Sequence, residues 1–117
     1  MKESNDGPWE GATYKLRTPH EDSAVYFTIS GWPIEGMFVN SRKLESFQWI
    51  TSAMTSYTKR IKDGVPVDTV IKEMSETFDP GGAYIVGRDR MNGLVHHLGT
   101  ILDKYVTMMI LKHGVPD

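Results

Sequence analysis

Apolar residues recur at steps of three and four through Leu44, Phe47, Ile50, Met54, Tyr57 and Ile61. That spacing puts them on one face of a helix. Ser41 is suited to cap its start, because a short side-chain oxygen accepts a hydrogen bond from a free backbone amide one turn in. Glu45 falls in the first turn and Lys59, Arg60 and Lys62 in the last, charges that suit the helix dipole. Gly64 can take the left-handed conformation that ends a helix. The pattern therefore predicts a long helix over 41–64. Its single apolar stripe needs a sheet or other helices to cover it.

Upstream the period changes to two. Val25, Phe27 and Ile29 alternate with Tyr26 and Thr28, which predicts a strand over 24–30. Weaker strands are expected over 12–17 and 34–40, with breaks at Thr18–Asp22 and at Gly31-Trp32-Pro33. Gly36, inside the third strand, suggests a bulge or a close backbone approach. The three strands make an antiparallel meander able to receive the long helix. Downstream, Pro66 suits a helix start, and Val67, Val70, Ile71 and Met74 give a short amphipathic helix to about Thr77. A fourth short strand is expected over 83–86, then a charged turn, Gly87-Arg88-Asp89-Arg90.

The last predicted helix runs from about Asn92 to Lys112. Leu94, Leu98, Ile101, Tyr105, Met108 and Leu111 form one stripe, widened by Val95, Leu102, Val106 and Met109. A helix apolar over so much of its circumference is buried on two sides. Either the rest of the chain covers both sides, or a second copy does. The expectation is a homo-oligomer with Leu102, Val106 and Met109 at its interface. The fold class that follows is α+β: an antiparallel three- to four-stranded sheet packed against two long helices and one short one. Residues 12–117 form one domain behind a loosely ordered N-terminus, 1–11.

Composition narrows the functions. A chain of 117 residues is one domain. Its net charge of -2 argues against a duplex nucleic-acid binder, which carries a basic face. A small anion needs only two or three local cations. With no cysteine there is no disulfide, thiol nucleophile or zinc–thiolate site. No apolar run approaches the ~20 residues of a membrane span, and the polar start is no secretory signal. A cytoplasmic protein with neither metal nor cofactor is expected.

Candidate chemistry is sparse. His96 and His97 are adjacent, so on a helix they point about 100° apart and suit no shared metal. No nucleophile motif is present, and an enzyme is not expected. The most suggestive stretch is Asp79–Gly93, DPGGAYIVGRDRMNG. Its glycines admit close backbone approach. Arg88 and Arg90 can make forked hydrogen bonds to phosphate, and Asn92 stands where a helix N-terminus favours anions. The bland alternative is an exposed turn with its arginines paired to Asp89. A second basic spot, Arg42-Lys43, precedes the long helix. Trp49 lies off that helix's apolar stripe, either packed at an interface or free to stack on a ring.

Taken in order, several short motifs carry a resemblance. They are Phe38-Val39-Asn40, Gln48-Trp49-Ile50-Thr51, Asp79-Pro80 followed by Gly81-Gly82 and Tyr84, then Leu94-Val95 and Gly99. Over about Val25 to Val106 the chain resembles the TSCPD-type C-terminal domain of adenosylcobalamin-dependent (class II) ribonucleotide reductases, a domain that also occurs as a free-standing small protein. The cysteine-bearing tail of that domain is missing, so no redox role is expected, and the chain is not expected to be a reductase by itself. Asn92 stands where the reductase pattern usually has a proline, which suggests ligand contact.

Two functions follow as expectations. In the first, the chain is a stand-alone, non-catalytic nucleotide-binding protein. It would be similar to phage sponge proteins such as the Thoeris anti-defence family, which oligomerise and sequester cyclic ADP-ribose or cyclic-oligonucleotide signals in the host cytoplasm. Arg88 and Arg90 would hold phosphates, helped by Arg42 or Lys43. Asn92 would read a polar edge, and Trp49 or Tyr84 would stack on a ring. In the second, it is an accessory module that docks onto a reductase or another protein.

Overall fold

A computed structural model describes residues 11–18, 24–41, 48–78 and 82–116. The architecture is α+β. Three strands, β1 (Gly11–Leu16), β2 (Val25–Ser30) and β3 (Gly36–Ser41), form an antiparallel sheet in the order β1-β2-β3. Helices α1 (Gln48–Lys62) and α2 (Val67–Ser75) follow. Then come a separate hairpin of β4 (Tyr84–Val86) and β5 (Asp89–Met91), and the 20-residue α3 (Leu94–His113). Among the described residues no helix is long and apolar enough to cross a membrane.

The period-two pattern of β2 does what alternation requires. Val25, Phe27 and Ile29 are wholly buried, while Tyr26 turns outward and is exposed. Phe27 pairs with Tyr14 on one side and Val39 on the other. The apolar face thus continues across the three strands onto the core. Gly36 makes no bulge: it pairs in regular register with Ser30. What it permits is a close approach, since a Cβ there would lie 2.6 Å from the Phe38 ring.

Helix α1 lays Ile50 and Met54 against the β3 side of the sheet. Ser41 closes β3 opposite Val25. The described part of the helix starts at Gln48, and the expected start with Leu44, Glu45 and Phe47 lies outside the described residues. Gly64 ends the connection with φ 105°. Arg60 then braces α1 to α2 with a two-pronged bond to Glu73, at 2.9 and 2.6 Å. The expected loosely ordered N-terminus also lies outside the described residues, apart from Gly11, which opens β1.

Two expectations need correction. The fourth strand does not join the meander. It pairs with β5, which was expected to be turn, because only Gly87 and Arg88 separate the two strands. Gly87 has φ 62°, the left-handed conformation that two-residue hairpin loops need. The second correction concerns α3. Leu102 and Met109 are 0 % exposed and Val106 is 8 % exposed within the single chain. Helix α2 covers one side of α3, and the sheet covers the other through β2. The double stripe is therefore covered inside one chain as far as Met109, while Leu111 at its end is exposed, and Leu102, Val106 and Met109 are not available to a second copy.

The far end of α3 is tied to the β2–β3 turn. The Tyr105 hydroxyl donates to Gly31 O at 2.8 Å, and Trp32 Nε1 donates to Gly114 O at 2.8 Å. The two rings meet edge-on at 6.4 Å. Gly31-Trp32-Pro33, a break in the strand pattern, is thus the seat for the C-terminal end of the last helix.

Candidate functional site

The hairpin carries most of the residues suspected of ligand contact. Tyr84 and Met91 face each other across it and are both buried, while Ile85 and Arg90 form the outward pair. Arg88 sits exposed at the tip. Arg90 Nη1 donates to Asn92 Oδ1 at 2.8 Å, and Asn92 Nδ2 donates to Ser75 O at 2.9 Å. The Asn92 amide therefore bridges β5 to the end of α2. It is also one residue too early to cap α3, whose N-cap is Gly93.

Behind the hairpin stand the two histidines. His96 Nδ1 accepts the Asn92 backbone N–H at 2.9 Å, so the proton of the neutral ring sits on Nε2. His97 Nδ1 lies 3.0 Å from the Tyr84 hydroxyl, with the rings edge-on at 5.8 Å. Pointing apart is what the neighbours need: one holds the strand leaving the hairpin, the other the strand entering it. Tyr84 is thereby a buried anchor and offers no ring for stacking.

Burial pushes the His97 ring below its ordinary value, with the charge of Lys104 and the neighbouring His96 adding to the effect. The fold therefore keeps His97 neutral in a range where the unfolded chain takes up a proton. That stabilisation is fully present above the ordinary value of 6.5 and is lost as pH falls below it. The melting temperature should fall between pH 7 and pH 5, and more steeply for the unmutated chain than for His97→Gln. Parallel slopes in the two melts would remove this account.

The other suspected residues lie elsewhere. Trp49 is half-exposed on the first described turn of α1, a different element from the hairpin, which packs on α3. Arg42 and Lys43 lie outside the described residues. Among the suspected residues the structure thus joins Tyr84, Arg90 and Asn92, as internal supports of the hairpin, and leaves Arg88 and Trp49 on the surface.

Among the described residues, two clefts lie between β3 and α1. A cleft of about 840 Å³ is walled by Val39 and Asn40 on the strand and by Gln48, Thr51, Ser52, Thr55 and Ser56 on the helix. Lys59 closes its far end. Sharing Thr55 and Lys59, a second cleft of about 340 Å³ continues to Met37, Phe38 and Lys62. The Thr55 hydroxyl donates to Thr51 O at 3.0 Å. With that proton committed, its oxygen is left as an acceptor. Lys59 bonds Asp63 at 2.7 Å and Lys62 reaches Glu35 at 3.6 Å, so the cations at this end have neighbouring carboxylates.

The sequence pattern hides this lining because it is the polar face of an amphipathic helix, which ordinarily meets only water. A signal was present: hydroxyls at Thr51, Ser52, Thr55 and Ser56 repeat at a spacing of four. His97 is hidden for a different reason. It lies three residues after Leu94 and four before Ile101, on the buried stripe, but as half of an adjacent pair it resembles a surface histidine.

No family model, no curated protein and no solved structure matches the chain.

Proposed function

We propose that this chain is a non-catalytic binding protein and that its ligand is a small phosphate-bearing nucleotide held between β3 and α1. The cleft of about 840 Å³ carries the proposal. Ligand sites commonly enclose about 300–1,000 Å³ and fix orientation with a few polar groups. Hydroxyls and the amides of Asn40 and Gln48 suit ribose hydroxyls and base edges. Lys59 suits a phosphate, and Arg42 and Lys43 belong to the segment joining the two walls. The absence of chemistry rests on the lining: the described walls of both clefts carry no histidine, and their carboxylates, Glu35 and Asp63, are each paired with a lysine.

The test is calorimetry against cyclic ADP-ribose isomers and cyclic di- and trinucleotides, with mass spectrometry of nucleotides released on heat denaturation. A binder returns its ligand unaltered. A hydrogen bond to a charged group contributes ~1.5–3 kcal/mol. Lys59→Ala should therefore weaken binding roughly tenfold to a hundredfold, with a stability change within about 0.5 kcal/mol, as usual for surface positions. No heat with any nucleotide overturns the reading.

One observation favours the alternative, a protein-docking module. Among the described residues strand β3 pairs only with β2, and its sequence, GMFVNS, has neither charge nor proline. Edge strands are commonly blunted by such residues. An unblunted edge beside a groove accepts an extended segment of another protein as an added strand. In that case nucleotides give no heat and β3 amides gain exchange protection in the complex.

A further inference from the structure

The register of the sheet builds its outer face in three rows. These are Gly11, Ser30 and Gly36; Thr13, Thr28 and Phe38; and Lys15, Tyr26 and Asn40. All of these residues except Gly36 are exposed or half-buried. Two aromatic rings stand on it, Phe38 at 63 % exposure and Tyr26 at 41 %. They are diagonal neighbours on paired strands, a separation of ~7–8 Å between the residues.

The Phe38 ring is held in a particular way. Its Cε2 and Cζ would lie 2.6 and 2.9 Å from a Cβ on Gly36. Glycine therefore lets the ring lie down over the neighbouring pleat, with one side on the strand and the other bare. Hydrophobic surface presented flat, rather than tucked into the core, is a stacking surface for another ring. Of the nine outward residues only Lys15 is charged, and it sits directly opposite Tyr26. The face is thus aromatic, hydroxyl-bearing and positive, which complements bases joined by phosphate. Phe38 also lines the smaller cleft together with Lys59 and Lys62. The outer face and the clefts are therefore continuous around the edge of β3.

We propose that the outer face of the sheet is a stacking platform for two successive bases of a phosphate-linked nucleotide chain, one on Phe38 and one on Tyr26, with Lys15 beside the phosphate. Rings this far apart cannot take two bases stacked on each other. They take bases splayed from the backbone, as single strands and small cyclic oligonucleotides allow. The proposal rests on the nucleotide-binding reading and assigns its ring contacts to residues other than Tyr84, which is buried, and Trp49, which is on α1.

The experiment titrates the full chain with four fluorescent probes: a mononucleotide, a linear dinucleotide, a cyclic dinucleotide and a ten-nucleotide single strand. Anisotropy reads the affinities for the unmutated chain and for Phe38→Ala, Tyr26→Ala, Gly36→Ala and a distant control, Phe78→Ala. Loss of one stacked base should weaken the linked probes roughly tenfold to a hundredfold. Gly36→Ala should weaken them in the same direction by lifting the Phe38 ring, and Phe78→Ala should leave them unchanged. Phe38→Leu and Tyr26→Leu keep apolar bulk without an aromatic face, and they should lose binding while keeping the far-ultraviolet dichroism. The cyclic and linear arms separate a small cyclic ligand from a single strand. If probes bind equally well to the Phe38 and Tyr26 variants, the platform is wrong and the cleft reading stands. If no probe binds the unmutated chain, both fail. If the variants instead turn a dimer into a monomer with nucleotide affinity unchanged, a second copy covers this face and the platform is likewise overturned.

Discussion

Leu102→Glu is expected to abolish folding of the chain, with no folded monomer left behind. Leu102 is 0 % exposed, as are Leu98 and Tyr105 one turn to either side. Burying an unpaired charge there costs several kcal/mol or more. A domain of this size has about 5–15 kcal/mol of stability in total. The milder Leu102→Ala removes the same contacts without adding charge and should cost about 2–5 kcal/mol. That corresponds to roughly 8–40 °C in melting temperature, at about 4–8 °C per kcal/mol for small domains. Thermal melts followed by circular dichroism, with light scattering on the same samples, check both variants. A folded Leu102→Glu chain with a smaller particle mass than the unmutated protein would restore Leu102 to a subunit interface.

Gly99→Val should be the most damaging single change where α3 meets α2. A Cβ at Gly99 would meet Met74 Cβ at 2.8 Å, closer than carbon atoms pack. Met74 and Val70 are both wholly buried between α2 and α3. The contact is made by an atom fixed to the α2 backbone, so a rotamer change cannot relieve it and the helices must part. Overpacking of this kind costs about 1–3 kcal/mol. Gly99→Ala makes the same first clash, but alanine is ~1 kcal/mol better than glycine within a helix, which offsets part of the loss. Urea melts should therefore rank glycine above alanine and alanine above valine at unchanged slope. A valine variant with an unshifted midpoint would mean that α2 does not lie this close to α3.

Both predictions concern α3, where the pattern was easiest to read and least complete. The stripe from Leu94 to Met109 was legible because helical spacing repeats locally. Which surface covers it was not legible, because α2 and β2 reach it only through long-range packing. The same limit applies at the hairpin. Glycine, arginine and asparagine at 87–92 look alike whether they hold phosphate or hold each other. Only the bonds from Arg90 to Asn92 and from Asn92 to Ser75 show an internal use. Trp49 was legible as an outward residue from its place off the α1 stripe, whereas Tyr84 sits in a three-residue strand too short for alternation to orient it.

The sequence by itself determined the α+β class, the order of the main strands and helices, the inward set Val25, Phe27 and Ile29, and the buried stripe of α3. Each of these depends on a period of two or 3.6 residues, which the backbone geometry imposes on neighbours in the chain. Tertiary structure alone decided that one chain covers both sides of α3. It also decided that His96 and His97 grip the hairpin, that Phe38 lies flat over Gly36, and that a cleft opens between β3 and α1. Those are meetings of residues distant in sequence. Their free energies depend on packing and hydrogen-bond geometry across the fold, which no local period encodes.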